Sequence, residues 1–160
     1  MKVVISGSFR KSLPEIIELK EQLEEKGIEV LNPKTKNTIV NLDDPTFVLF
    51  QGEEDKNKLE LEKKYIESIA NSNAHIIYIS NGYLGETAFS ELLFSCCCGI
   101  PVYLTEDIKT IYCNNTPQSI GIYMALQNLI SNGIIKIGIN NMLKDFNLIG
   151  HQLKKTKNDE

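Results

Sequence analysis

The chain has 160 residues, with 17 Lys and Arg against 21 Asp and Glu, 42 % hydrophobic and 24 % charged residues, and no tryptophan. That length suits one domain burying about 70 % of its unfolded surface without disulfide or metal staples, and the composition is that of a soluble globular protein. Its longest apolar runs, such as Phe47 to Phe50 and Ile76 to Ile79, fall far short of the ~20 residues of a membrane helix, and a net charge of −4 gives no basic footprint for a nucleic-acid polymer.

Lys2 to Ser6 reads as a first strand rather than a signal peptide, having no long apolar region and no small-residue cleavage site. It ends in the turn Ser6-Gly7-Ser8. Ser12, Leu13, Pro14 and Glu15 then resemble a capping box opening a helix, whose stripe Leu13, Ile16, Ile17 and Leu23 stops at Gly27. Ile28 to Leu31 is a second strand, which makes a βαβ opening. Asn32 to Thr46 is polar, carries Pro33 and Pro45 and shows no period; a connection of that length reads as a lid or binding loop. Phe47 to Phe50 is a short strand or a hydrophobic plug.

From Glu53 to Glu67 six acids and four bases alternate with Leu59, Leu61, Tyr65 and Ile66, an amphipathic helix that continues through Ile69 and Ala70. His75 to Ile79 is the third strand and apolar enough to be central. Gly82 to Gly85 turns into a helix reaching about Cys98, with Gly99 as its stop. Pro101 to Leu104 is a fourth strand, Thr116-Pro117 opens a helix to about Asn132 with Gly133 beyond it, Ile134 to Ile137 is a fifth strand, and Asn140 to Ile149 a final helix. The expected fold is therefore a doubly wound α/β domain over residues 1–150, with a mostly parallel five-stranded sheet, helices on both faces, and a polar tail over 151–160.

Four cysteines, three of them contiguous at Cys96 to Cys98, make a poor disulfide framework. Helix neighbours point about 100° apart and do not share one metal ion. They read as small buried hydrophobes of a reducing, cytoplasmic protein. His75 reads as a packed strand residue, His151 as part of the tail, and Cys113 lacks a histidine nearby in sequence.

In such a sheet the ligand crevice lies at the carboxyl ends of the strands, and two segments fall there. In Ser6-Gly7-Ser8-Phe9-Arg10 the glycine admits close backbone approach, the hydroxyls suit sugar or phosphate oxygens, and Arg10 suits an anion; a plain strand-to-helix turn with a surface arginine fits the same spacing. In Asn81 to Glu91 the glycines and the helix start suit an anion, and Glu91 offers a carboxylate for nucleophilic or acid–base work. The stripe Ala88, Phe89, Leu92, Leu93 and Cys96 leaves Glu91 off its centre, so an exposed helix position is the competing reading.

Together, Ile5-Ser6-Gly7-Ser8-Phe9-Arg10, Asn81-Gly82-Tyr83-Leu84-Gly85, Ser90-Glu91-Leu92 and Gly99-Ile100-Pro101-Val102 resemble, in order and spacing, the nucleoside 2-deoxyribosyltransferase-like superfamily of deoxyribosyltransferases and nucleotide N-glycosidases, over roughly residues 2 to 107. The resemblance implies cleavage or exchange at the N-glycosidic bond of a nucleoside or nucleoside 5′-monophosphate, without metal or organic cofactor. Glu91 would be nucleophile or acid–base. Ser6, Gly7, Ser8 and Arg10 would line the sugar or phosphate side, and Gly82, Tyr83, Gly85 and Thr87 would complete the substrate site. It also implies a homodimer or higher oligomer, with a small-molecule partner rather than a nucleic acid or membrane. Gly82 to Glu91 is more loosely similar to the glycine-rich loop of lysine-decarboxylase-like phosphoribohydrolases, which act on the same class of bond.

The chain departs from the superfamily pattern where a second acid belongs. Tyr65 stands near the glycosidases' helical Asp, Asn73 before strand three, and Gly85 six residues ahead of the glutamate. Proton delivery would then fall to Glu86, Tyr83, a loop residue or a neighbouring subunit. A non-catalytic sensor of a nucleotide-derived ligand is the alternative. Phe47, Phe50 and Tyr83 are candidates for stacking on a base, or else plug and core.

Overall fold

The computed structural model describes residues 1–35, 37–39, 48–53, 57–113, 116–117 and 120–147. In chain order it comprises β1 (Lys2–Gly7), α1 (Phe9–Glu25), β2 (Glu29–Asn32), β3 (Thr38–Ile39), β4 (Leu49–Phe50), α2 (Lys58–Ala70), β5 (Ala74–Tyr78), β6 (Tyr83–Gly85), α3 (Glu86–Cys97), β7 (Val102–Leu104), β8 (Thr110–Cys113), β9 (Thr116–Pro117), α4 (Ile120–Ser131), β10 (Ile135–Ile137) and α5 (Ile139–Asp145). The main sheet has the order β10-β7-β5-β1-β2 and is parallel throughout. Strand alternation splits its core in two. Val3, Ile5, Ala74, Ile76 and Tyr103 pack against Ile16 and Leu23 of α1 and Met142 and Leu143 of α5. On the opposite face Ile77, Val102, Leu104 and Ile135 meet Ala88 and Leu92 of α3 and Leu126 of α4. Each such aliphatic residue, fully buried, contributes about 1.5–3 kcal/mol.

Local chemistry moves several boundaries. Helix α1 starts at Phe9, ahead of the predicted Ser12, and breaks at Ser12 (φ −136°, ψ 28°). Pro14 has no N–H for the Arg10 carbonyl and its ring crowds that oxygen, so the first turn cannot run straight into the next. Helix α2 starts at Lys58 on a capping box, in which the Asn57 side chain accepts from the Glu60 N–H at 3.0 Å and the Glu60 carboxylate accepts from the Asn57 N–H at 3.2 Å.

Thr116-Pro117, expected to open a helix, instead pairs antiparallel with β8, and α4 begins at Ile120. β8 has no counterpart among the elements expected from sequence, although Thr110, Ile111 and Tyr112 are β-branched or aromatic. With β6 these strands form a three-stranded sheet that ties the glycine loop down: the Gly82 carbonyl accepts from the N–H groups of Lys109 and Thr110.

Cys97 and Cys98 are exposed and Cys96 is half-buried, all three free, because the last turn of α3 leaves the stripe Ala88, Leu92 and Ser95 that faces the sheet; this corrects the expectation of three buried side chains. No helix among the described residues is long and apolar enough to cross a membrane. Thr46, Phe47, His151 and most of the expected loop over 32–46 lie outside the described residues, as does the tail.

Candidate functional site

Strand β1 is followed in the chain by β2 on one side, whereas β5, reached later, pairs on the other. The helices leaving their carboxyl ends diverge there, opening the crevice that doubly wound sheets use for ligands. A cavity of about 570 Å³ occupies it, within the range for small-ligand sites.

The turn from β1 to α1 forms one wall, with Gly7, Ser8, Phe9 and Arg10 lining the cavity. Gly7 is needed for a close approach, since an added Cβ would sit 3.0 Å from the Tyr78 carbonyl oxygen and 3.1 Å from the Ile16 side chain. The start of α3 forms a second wall through Tyr83, Gly85, Glu86, Thr87, Ala88 and Glu91. Gly85 is the N-cap of α3 and makes no side-chain hydrogen bond there, and a helix N-terminus at a cavity wall favours an anionic ligand. Of the nine site residues named from sequence, seven line this cavity. Ser6 is fully buried beneath it. Gly82 lies outside: with φ +75° it makes a left-handed turn and donates its N–H to the Glu106 carboxylate at 2.6 Å, so its part is to hold the loop.

Glu91 is half-buried. Ala88 and Leu92 point at the sheet, and this leaves Glu91 at the α2–α3 side of the crevice rather than on an outer surface. Burial pushes its carboxyl up from the ordinary 4.5 to about 7. The Ser6 hydroxyl can oppose that rise by donating to the carboxylate, and nearby Glu62 adds to it. Beneath the carboxyl, Ser6 Oγ lies 2.6 Å from His75 Nε2, His75 Nδ1 lies 2.6 Å from Ser95 Oγ, and the Ser95 hydroxyl donates to the Glu91 carbonyl at 3.0 Å. His75 is completely buried, and burial alone holds its ring down to about 3, hence neutral.

Further lining residues stand outside the nine site residues named from sequence. Tyr65 of α2, near the expected second acid, donates its hydroxyl to the Ile5 carbonyl, and burial followed by the Glu91 charge drives its pKa well above the ordinary value. Glu62 and Glu53 also line the cavity, the latter paired with Lys64 at 3.8 Å. Asn32, at the end of β2, is buried with its side-chain Nδ2 unpartnered among the described residues. Lys34 and Lys58 join Arg10 in adding positive charge to the lining. The available signal was the topological one: the end of β2 and the inner face of α2 flank the same crevice.

The aromatic candidates are already engaged. Phe50 meets Phe9 edge-on at 5.3 Å, and Lys11 Nζ sits 3.6 Å over the Tyr83 ring, which leaves Tyr83 at most one open face. Phe47 falls outside the described residues. The site thus joins one carboxyl that changes charge near neutrality, further carboxylates, hydroxyls and a cationic rim, a set suited to moving a proton or meeting a developing cation on a polar, anionic ligand.

No family model and no curated protein matches the chain. Two solved structures resemble it. The CMP N-glycosidase BcmB of Clostridium botulinum superposes with a TM-score of 0.52 at 13 % identity, covering 86 % of each chain. A 2-deoxyribosyltransferase from Bacillus psychrosaccharolyticus gives a TM-score of 0.45 at 13 % identity, covering 86 % of this chain and 98 % of that one. At such identities the first likeness is one of fold.

Proposed function

We propose that the chain cleaves or exchanges the N-glycosidic bond of a nucleoside or nucleoside 5′-monophosphate, with Glu91 as the carboxyl that acts at the anomeric carbon or moves the proton. One observation carries the reading: Glu91, its carboxyl raised to about 7, borders the same switch-point cavity as Gly7 and Ser8. The fold shared with a CMP N-glycosidase and the order of the sequence motifs support it. Breaking an N-glycoside builds oxocarbenium character at the anomeric carbon, and an ionised Glu91 facing it stabilises that charge or forms the covalent ribosyl intermediate. The neutral form instead delivers a proton to the departing base.

Arg10 with Lys34 and Lys58 favours a substrate carrying a 5′-phosphate. A cytoplasmic homo-oligomer without cofactor is part of the proposal, and its assembly state is read by light scattering after gel filtration.

A second reading, a non-catalytic sensor of a nucleotide-derived ligand, is favoured by Tyr65: its raised pKa and its bond to the Ile5 carbonyl unfit it as the missing acid at neutral pH. Glu53, Glu62 and Glu86 remain as carboxyls in the cavity. The deciding experiment incubates the protein with ribo- and deoxyribonucleosides and their 5′-monophosphates, with and without an acceptor base, and follows base release or exchange by chromatography. Turnover that disappears in Glu91→Gln supports the enzyme. Turnover unchanged in that variant refutes the role of Glu91, and tight binding without turnover across the panel favours the sensor.

A further inference from the structure

Hydrolysis of an N-glycoside moves two protons, one onto the departing base and one off the attacking water. Glu91 is not available for the second. As an acid it begins the step holding a proton, and as a nucleophile its oxygen is already esterified to the anomeric carbon. The water proton needs another acceptor, and the neighbouring groups offer few. His75 has no accessible surface. Tyr65 has turned its hydroxyl to the Ile5 carbonyl as a donor. Glu53 is paired with Lys64 at 3.8 Å and accepts from the Phe50 N–H at 3.1 Å. Glu86 is exposed in the first turn of α3, where the helix dipole favours its charge.

Glu62 is placed differently. Lys58, Leu61, Glu62 and Tyr65 all line the cavity, and their spacing of i, i+3, i+4 and i+7 puts them on one face of α2. Glu60, Lys63 and Glu67, on the opposite face, are exposed, whereas Glu62 is half-buried. It makes no hydrogen bond or ion pair among the described residues. A carboxylate on the inward stripe, partly desolvated and unpaired, costs stability and returns none to the fold. Helices α2 and α3 pack together, so Glu62 and Glu91 border one cavity from adjoining walls, and the Glu62 charge is among the causes that raise the Glu91 carboxyl.

We infer that Glu62 is a second catalytic carboxyl, the base that takes the proton of the attacking water, an assignment that rests on the N-glycoside reading. The water oxygen forms its bond to the anomeric carbon. With Glu91 as acid, the C1′–N bond breaks, its electron pair passes to the base nitrogen, and the base takes the Glu91 proton. With Glu91 as nucleophile, the C1′–O ester bond breaks and its pair returns to the Glu91 carboxylate. In both courses the water proton goes to Glu62 and the sugar leaves with a hydroxyl at C1′. Proton exchange with solvent then resets both carboxyls.

The test compares the full chain with Glu62→Gln, Glu62→Asp and Glu91→Gln on the panel of nucleosides and 5′-monophosphates, following base release without an acceptor base. Glutamine keeps the shape of Glu62 but accepts no proton, so kcat should fall about 100-fold or more with KM nearly unchanged. Aspartate keeps the base at a shorter reach and should retain an intermediate rate. Azide attacks without a proton to lose, so adding it to Glu62→Gln should restore base release and yield the glycosyl azide, identified by mass spectrometry. Base release that disappears in Glu91→Gln yet is unchanged in Glu62→Gln overturns this assignment alone. A Glu62→Gln loss that appears in KM, or that azide does not restore, also overturns it and leaves Glu62 a binding or structural residue. Absence of turnover by the unaltered protein across the panel overturns the N-glycoside reading and this assignment with it.

Discussion

Replacing Glu91 with glutamine should stabilise the protein at alkaline pH while removing the proposed N-glycoside turnover. The carboxyl moves from its ordinary 4.5 to about 7, chiefly because burial penalises its charge. A folded pKa above the unfolded one means that the folded state holds the proton more tightly. The cost of Glu91 is thus absent below about pH 4.5, grows between about 4.5 and 7, and is complete above 7. At about 1.4 kcal/mol per pH unit the ionised side chain costs about 3 kcal/mol, an upper bound for a half-buried group. Glutamine keeps the shape and stays neutral. Urea unfolding of both proteins at about pH 4, 6 and 8 should therefore give coincident stabilities at the lowest value and an advantage to Glu91→Gln that widens to a few kcal/mol at the highest. His75 contributes equally to both and cancels. A pH-independent difference, or a variant less stable at pH 8, would refute the assignment of Glu91 as a destabilised, functionally placed carboxyl.

Other consequences follow from the same geometry. With a cleavable substrate, kcat/KM should bend near pH 7, rising to a plateau above it when Glu91 acts as nucleophile and falling above it when Glu91 acts as acid; a flat profile from about pH 5 to 9 would exclude it from both. Asn32→Ala should weaken ligand binding several-fold, measured by calorimetry, yet leave stability equal or higher, because the buried Nδ2 has no partner among the described residues and its desolvation costs about 1–3 kcal/mol. Gly82→Ala should lower stability by at least about 1 kcal/mol, since φ is +75° and the new Cβ would lie 2.5 Å from the Lys109 side chain; thermal melts check this, and an unshifted melting point would show that the loop relaxes freely. Arg10→Ala should raise KM for a 5′-monophosphate far more than for the matching nucleoside, and an equal rise for both would remove Arg10 from phosphate recognition.

Much of the site was legible because its parts are local. The strand-to-helix turn at Gly7 and Ser8, and the glycine loop leading to the helix of Glu91, carry their own turn and cap chemistry in consecutive residues. Gly82 and Gly85 look alike in sequence yet do different work: the first makes a positive-φ corner against Lys109, the second opens α3 at the cavity wall. Periodicity left Glu91 near the edge of its apolar stripe, where an exposed position was the simpler reading. What makes it half-buried is the α2–α3 packing, which no pattern within α3 contains.

The amino-acid sequence by itself determined the alternation of strands and helices, the parallel sheet, and the two loops that reach its carboxyl edge, because hydrophobic period and turn residues act over a few neighbours. Only the tertiary structure decided what stands beneath and around Glu91. The parallel register of β1 and β5 pairs Val4 with His75 and Ser6 with Ile77, so Ser6 and His75 fall on one face as diagonal neighbours although 69 residues separate them. Helix α3 supplies Ser95 from above, and α2 supplies Tyr65 and Glu62. Burial, charge and hydrogen-bond partners at the site are set by those long-range juxtapositions, and a linear pattern carries no record of which distant residues will meet.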